Sequence, residues 1–272
     1  MFLQRALITF TLGPIALYLI YLGGWFYFIP LTIILLLATL EYSQMVQKLG
    51  WRVPTTLIIP VVIIQWLLAQ WPNENFFGPL FAISLLAIVG YALWQYERQN
   101  SQTVPADLFA TIAGFLLFGW VCGHFFRLRG LPEMAWQWTM LAMLSTWIAD
   151  SGAYLVGRFV AGRGIVGKHP LSPRLSPNKT VEGYIGGILL GTLFTVLISL
   201  LLAIDSVQAL LLGLAISTLG TVGDLGISLL KREAGIKDSG NLFPGHGGAL
   251  DRIDSLMWTV AIAYYLALYF MH

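Results

Sequence analysis

The sequence predicts an all-α, polytopic integral membrane protein with about nine transmembrane helices. Two features of composition and one of pattern carry that expectation. Of the 272 residues, 57% are hydrophobic and only 10% are charged, which excludes a soluble globule with an ordinary surface. The apolar residues also fall in runs of about 17 to 25, long enough to cross about 30 Å of hydrocarbon as helices. Lipid leaves no partner for unpaired backbone groups, so a spanning segment of this length is helical.

The runs cover 5–23, 25–46, 51–71, 76–96, 108–127, 136–158, 181–203, 206–230 and 254–271. The first begins close to the start and shows no small-residue cleavage pattern, so it reads as a retained helix rather than a signal peptide. Glycines at Gly23 and Gly24, and the short stretch from Ala203 to Ser206, mark the tightest junctions. Trp25, Trp51, Trp66, Trp71, Trp94, Trp136 and Trp138 lie mostly near span ends, as interfacial anchors do. The single cysteine, Cys122, sits in an apolar run and excludes intramolecular disulfides and Cys-based metal sites.

Basic residues orient the bundle. With a cytoplasmic N-terminus and nine spans, all lysines and arginines except Arg127 and Arg129 fall on the inside, which places the C-terminus outside. The long polar loops, 159–180 and 231–253, then face the cytoplasm. No repeat or low-complexity tract divides the chain. The expectation is one integral domain over 1–272, with 1–135 a mainly lipid-facing scaffold and 136–272 holding the catalytic helices and loops.

Charge this sparse is informative where it clusters. Ser228 to Asp254 reads SLLKREAGIKDSGNLFPGHGGALDRID and carries Lys231, Arg232, Lys237, Asp238, His246, Asp251, Arg252 and Asp254. Cations, carboxylates and a glycine loop at the edge of an apolar slab suit a metal-bound polyphosphate meeting a lipid headgroup. Asp224 precedes the cluster, flanked by Gly220, Gly223 and Gly226, and a carboxylate at membrane depth is costly unless paired or metallated. A structural salt bridge is the alternative for Asp224. Glycines 245, 247 and 248 allow successive N–H groups to point at one anion. Asp251 and Asp254 share a face if the helix has begun, whereas helix capping is the plainer role for Asp254.

The earlier loop is basic and rich in glycine and serine, and its Ser176-Pro-Asn-Lys179-Thr-Val-Glu182-Gly183 stretch opens a helix, as a phosphate site does. A merely cytoplasmic basic loop has the same look, and the P-loop order is absent. Glu182 either orients Lys179 or favours the helix start. Asp150 and Tyr154, four apart, suit a headgroup contact or an interhelical hydrogen bond. Gly183, Gly187 and Gly191 form a small-residue face for packing helices or a dimer. Glu41 and His124 lie near membrane depth with no evident constellation around them.

From Ser228 to Asp254 the chain resembles the phosphatidate cytidylyltransferases, or CDP-diacylglycerol synthases, with their Ser-x-apolar-Lys-Arg-x4-Lys-Asp and His-Gly-Gly-apolar-x-Asp-Arg-apolar-Asp pattern. Gly223-Asp224-Leu225, the Ser176–Gly183 segment and Asp150-Ser-Gly-Ala-Tyr154 are similar to further motifs of that family, and the likeness is close over 140–258. Ala249 stands where a larger aliphatic is usual, Ile227 where Glu is frequent, and the stretch from Arg158 to Lys168 is longer than usual. The resemblance implies transfer of CMP from CTP to phosphatidic acid, with pyrophosphate released and Mg²⁺, in a two-metal site, as cofactor; some members also use K⁺. It implies Asp224, Lys231 and Asp251 as catalytic, Asp224, Asp251 and Asp254 on metal, and Arg232, Lys237, His246 and Arg252 on phosphates. Ser176, Lys179, Glu182 and Asp150 would serve the nucleotide or headgroup. The expected partners are CTP, phosphatidic acid, the bilayer of a bacterial-type plasma membrane and a second copy of the chain, with no nucleic acid. A CTP-dependent polyprenol or phytol kinase and an ion-coupled transporter are the rival readings.

Overall fold

A computed structural model describes residues 2–163, 167–242 and 247–271. It is a mostly helical polytopic membrane protein in which helices cover the predicted apolar runs. Six of the described helical segments have the length and hydropathy of a membrane span: Gly24–Lys48, Asn75–Glu97, Val104–Arg129, Val181–Leu202, Ser206–Glu233 and Leu250–Met271. Thr11–Leu22 and Thr55–Gln70 are apolar but shorter. Large apolar side chains stand on the outer faces, Leu86 at 70%, Phe109 at 69% and Leu201 at 85% exposure. That surface is stable only against lipid or another apolar partner.

The chain divides into two compact units, Met1–Gly130 with Leu230–Ile253, and Leu131–Leu229 with Asp254–His272. The first unit contains α1 (Phe2–Leu22), α2 (Gly24–Lys48), α3 (Thr55–Gln70), α4 (Glu74–Glu97), α5 (Val104–Gly114) and α6 (His124–Arg129). Between the last two, Phe115–Val121 is a π-helix. The Cys122 N–H accordingly reaches back five residues to the Leu117 carbonyl. Inside that segment the Phe118 carbonyl accepts the Trp66 indole N–H at 2.7 Å. Val61, Ile88 and Phe115 form a core under Leu57, Phe81, Leu85, Leu108 and Ile112. Trp66, like Trp138, is therefore a core residue and not the interfacial anchor expected for it; Trp25, Trp51, Trp71 and Trp94 are exposed as anchors are. Arg129 donates from Nε to the Ile20 carbonyl at 2.6 Å, satisfying an end carbonyl of α1. Arg127 lies over the Phe77 ring at 4.2 Å.

The second unit contains α7 (Ala135–Phe159), β1 (Pro170–Ser172), β2 (Ser176–Thr180), α8 (Val181–Leu202), most of α9 (Ser206–Glu233) and α11 (Leu256–Met271). The strands form an antiparallel hairpin with Pro170 opposite Thr180 and Ser172 opposite Ser176, so the 159–180 segment is not wholly loop, as the all-α reading had it. Thr180 then caps α8, its hydroxyl accepting the Gly183 N–H at 3.0 Å. The glycine face of α8 packs on α7 within the same chain. A Cβ at Gly183 would meet the Ala153 carbonyl at 2.7 Å, and one at Gly187 would meet Ala149 O and Ala153 Cβ at 2.9 Å. Gly187→Leu is expected to destabilise the protein by about 1–3 kcal/mol through overpacking, measured as a lower Tm in detergent. Likewise Gly220 and Gly223 admit α11, with Thr259 and Trp258 at the places their Cβ atoms would take.

A four-residue helix, α10 (Leu250–Ile253), precedes α11, the two being separated by a turn at Asp254 and Ser255. The last predicted run thus starts four residues earlier than hydropathy placed it, because Leu250 and Ile253 are buried and hold the polar residues between them in helical register.

Candidate active site

In the first unit the signature residues converge on Asp251. α9 runs to Glu233, so Lys231 is helical, and its ammonium donates to Asp251 Oδ1 at 2.7 Å. The two side chains are only 9% and 7% exposed, so each charge is tolerable there because of the other. Asp251 Oδ2 accepts the backbone N–H of Ser239 at 2.7 Å and of Gly248 at 2.9 Å, with the Ser239 hydroxyl at 3.0 Å. Gly247 has φ of +80°, and a Cβ there would collide with the Asp251 carboxylate. Around this buried pair, Arg232, Lys237 and Arg252 are exposed, and the Arg232 guanidinium donates to the Ile236 carbonyl at 3.3 Å. All three place positive charge at the protein surface. His246 and Gly245 lie outside the described residues.

Part of the glycine segment is bonded within the protein. The N–H of Gly248 is spent on Asp251, and those of Ala249 and Leu250 each donate at 2.9 Å to Glu41 of α2. Glu41 also accepts the Ser239 hydroxyl at 2.7 Å. Sequence reasoning found no constellation around Glu41; its partners are about 200 residues away in the chain, and its rarity inside an apolar run was the only available signal.

In the second unit, Asp224 on α9 forms an ion pair with Lys179 of β2. Among the described residues, its other oxygen has a long contact, 3.4 Å, with the Ser228 hydroxyl. Side-chain exposures of 30% for Lys179 and 25% for Asp224 leave this pair open to solvent. Glu182 does not orient Lys179: it accepts the His169 backbone N–H at 3.1 Å and the His169 ring Nδ1–H at 2.6 Å, tying β1's approach to the start of α8. Ser176 and Lys179 are both half-buried on β2, whose pairing with β1 is irregular. Asp150 of α7 accepts the hydroxyl of Ser255, in the turn before α11, at 3.1 Å. Tyr154 is exposed and accepts from Arg158. Asp254 is buried in the turn ahead of α11, and its Oδ1 accepts the Ser255 N–H at 2.8 Å. Cys122 is buried, and His124 is buried with Nδ1 3.1 Å from the Val121 carbonyl. A cavity of about 440 Å³ in the first unit, lined by Gln44, Arg52, Tyr91 and Asp107 among others, contains none of these residues.

Apolar-faced helices with lysine–carboxylate pairs and exposed cations near their ends define a membrane-embedded protein equipped to handle polyanions. The chain belongs to the Cytidylyltransferase family, whose pattern matches residues 3–270. It is 37% identical over 187 residues to the phosphatidate cytidylyltransferase of Bacillus subtilis, covering 68% of this chain and 66% of that protein. It is 31% identical over an alignment of 290 positions to the phosphatidate cytidylyltransferase of Synechocystis, covering 96% and 95%. A third, from Staphylococcus saprophyticus, is 33% identical over 195 residues, covering 71% and 70%.

Proposed function

We propose that this chain is a phosphatidate cytidylyltransferase that transfers CMP from CTP to phosphatidic acid, giving CDP-diacylglycerol and pyrophosphate. Beyond family membership, the observation that supports it most is the buried Lys231–Asp251 pair set beside exposed Arg232, Lys237 and Arg252. A phosphate oxygen of phosphatidic acid bonds to the α-phosphorus of CTP while the α–β bridging P–O bond breaks, and pyrophosphate carries off that electron pair. The attacking oxygen is already anionic, so no strong general base is needed. What the protein must supply is neutralisation of two approaching polyanions. Arg232, Lys237, His246 and Arg252 bind phosphates in this reading, and Ser176, Lys179, Glu182 and Asp150 line the nucleotide or headgroup side.

Mg²⁺ in a two-metal site, with K⁺ in addition as in some members of the family, is the cofactor of this proposal. Asp224 suits a cation ligand, since one oxygen is nearly unengaged and the group is partly open. Asp251 offers Oδ1, provided Lys231 shares or leaves it. Asp254 is included on the sequence pattern alone. When bound, the cation draws charge from the phosphates and steadies the leaving pyrophosphate. Lys179 and Lys231, which pair with Asp224 and Asp251, would donate to phosphate wherever a cation took their place on those carboxylates.

The proposed topology is nine spans with the N-terminus and both polar segments cytoplasmic in a bacterial inner membrane, supported by the lysine and arginine distribution. A homodimer is proposed too, although the α8 glycine face is occupied by α7, so its contact would use another surface. The test is product analysis with purified protein, CTP, Mg²⁺ and phosphatidic acid. Lipid-dependent pyrophosphate is expected; CDP formed with an added prenol instead would transfer the assignment to a kinase.

A further inference from the structure

α2 carries a single carboxylate, Glu41, seven residues before its last residue, Lys48. Both of its oxygens are engaged: Oε1 accepts the Ala249 N–H at 2.9 Å, and Oε2 accepts the Leu250 N–H at 2.9 Å and the Ser239 hydroxyl at 2.7 Å. Ala249 immediately precedes α10 and Leu250 opens it, and N–H groups at a helix start have no intrahelical acceptor. Glu41 therefore caps α10 from another helix. The glycines of this segment make the arrangement possible, because a Cβ at Gly248 would collide with the Glu41 carboxylate and one at Gly240 would lie 2.9 Å from its Cδ. Ser239 links the cap to the candidate catalytic carboxylate. Its N–H donates to Asp251 Oδ2, while its hydroxyl, with one proton, lies within reach of both Glu41 and Asp251.

We propose that Glu41 is a positioning residue for the cytidylyl transfer: by holding the Gly248–Leu250 turn and Ser239, it fixes the orientation in which Asp251 meets Lys231. The role in turnover rests on the function proposed above, whereas the cap itself does not. A carboxylate is required because three donors converge on it; an amide at this place turns an NH₂ group toward at least one of them.

The experiment compares full-length wild type with Glu41→Gln, Glu41→Ala and Ser239→Ala in detergent. Glu41→Gln, nearly isosteric, is expected to lower kcat for pyrophosphate release by about 10- to 100-fold, as loss of an orienting outer partner does, with KM for CTP little changed. Ser239→Ala combined with Glu41→Gln is expected to be less than additive. Amide hydrogen exchange at Ala249 and Leu250 is expected to accelerate in Glu41→Ala without a matching rise in α4. Unchanged kcat per folded molecule in Glu41→Gln overturns the positioning role, and unchanged exchange at those two amides overturns the cap. Wild type without pyrophosphate release sinks the functional reading instead, and the exchange result then decides the cap alone. Should Glu41→Ala fail to fold, exchange is read on Glu41→Gln with the same two outcomes.

Discussion

Asp251→Asn is expected to abolish pyrophosphate release and, separately, to destabilise the protein. The substitution leaves the Lys231 ammonium, 7% exposed as a residue, facing an amide in a buried place. Breaking one side of a buried pair costs about 3–5 kcal/mol because the remaining charge stays uncompensated. An amide also cannot serve Lys231 and the Ser239 and Gly248 N–H groups together without presenting a donor to a donor. Lys231→Met combined with Asp251→Asn removes both charges, so Tm is expected to recover toward wild type while activity stays lost. A double variant no more stable than Asp251→Asn, or a single variant with a tenth of wild-type turnover, contradicts this account.

Asp224→Asn is expected to show the opposite balance: turnover falls by about 100- to 1,000-fold, the scale for removing one group that stabilises developing charge, while Tm barely moves. The Lys179–Asp224 pair is partly exposed on both sides, and such pairs contribute about 0–1 kcal/mol. A Mg²⁺ titration of residual activity adds a second readout. If Asp224 holds the cation, half-activation shifts to higher Mg²⁺; an unshifted curve with lost turnover assigns Asp224 to Lys179 alone. Comparing Tm and rate across Asp224→Asn and Asp251→Asn thus separates a carboxylate kept for chemistry from one that also holds the fold.

Much of this was legible from residue order. The apolar runs marked the helices to within a few residues, since hydropathy and span length are local properties. Departures came where one residue's role depends on a distant one. Trp66 reads as an interfacial anchor by its place near a span end, yet it lies in the core with its indole N–H on the Phe118 carbonyl of the π-helix. Glu182 sits three residues from Lys179, but His169 takes it and Lys179 turns to Asp224. The signature marked Asp224, Lys231 and Asp251 as candidates for the chemistry, because a sparse charge in an apolar chain is costly wherever it falls.

By itself, then, the sequence determined the membrane class, the helix positions, the family and the set of ionisable groups, all of which follow from composition, local periodicity and a fixed motif. Only the tertiary structure decided the pairings: Asp224 with Lys179, Asp251 with Lys231, and Glu41 with the N–H groups of Ala249 and Leu250. The reason is physical. A buried charge must be matched by a partner brought close in space, and the packing that brings Glu41 to a turn some 200 residues away leaves no mark in either segment alone.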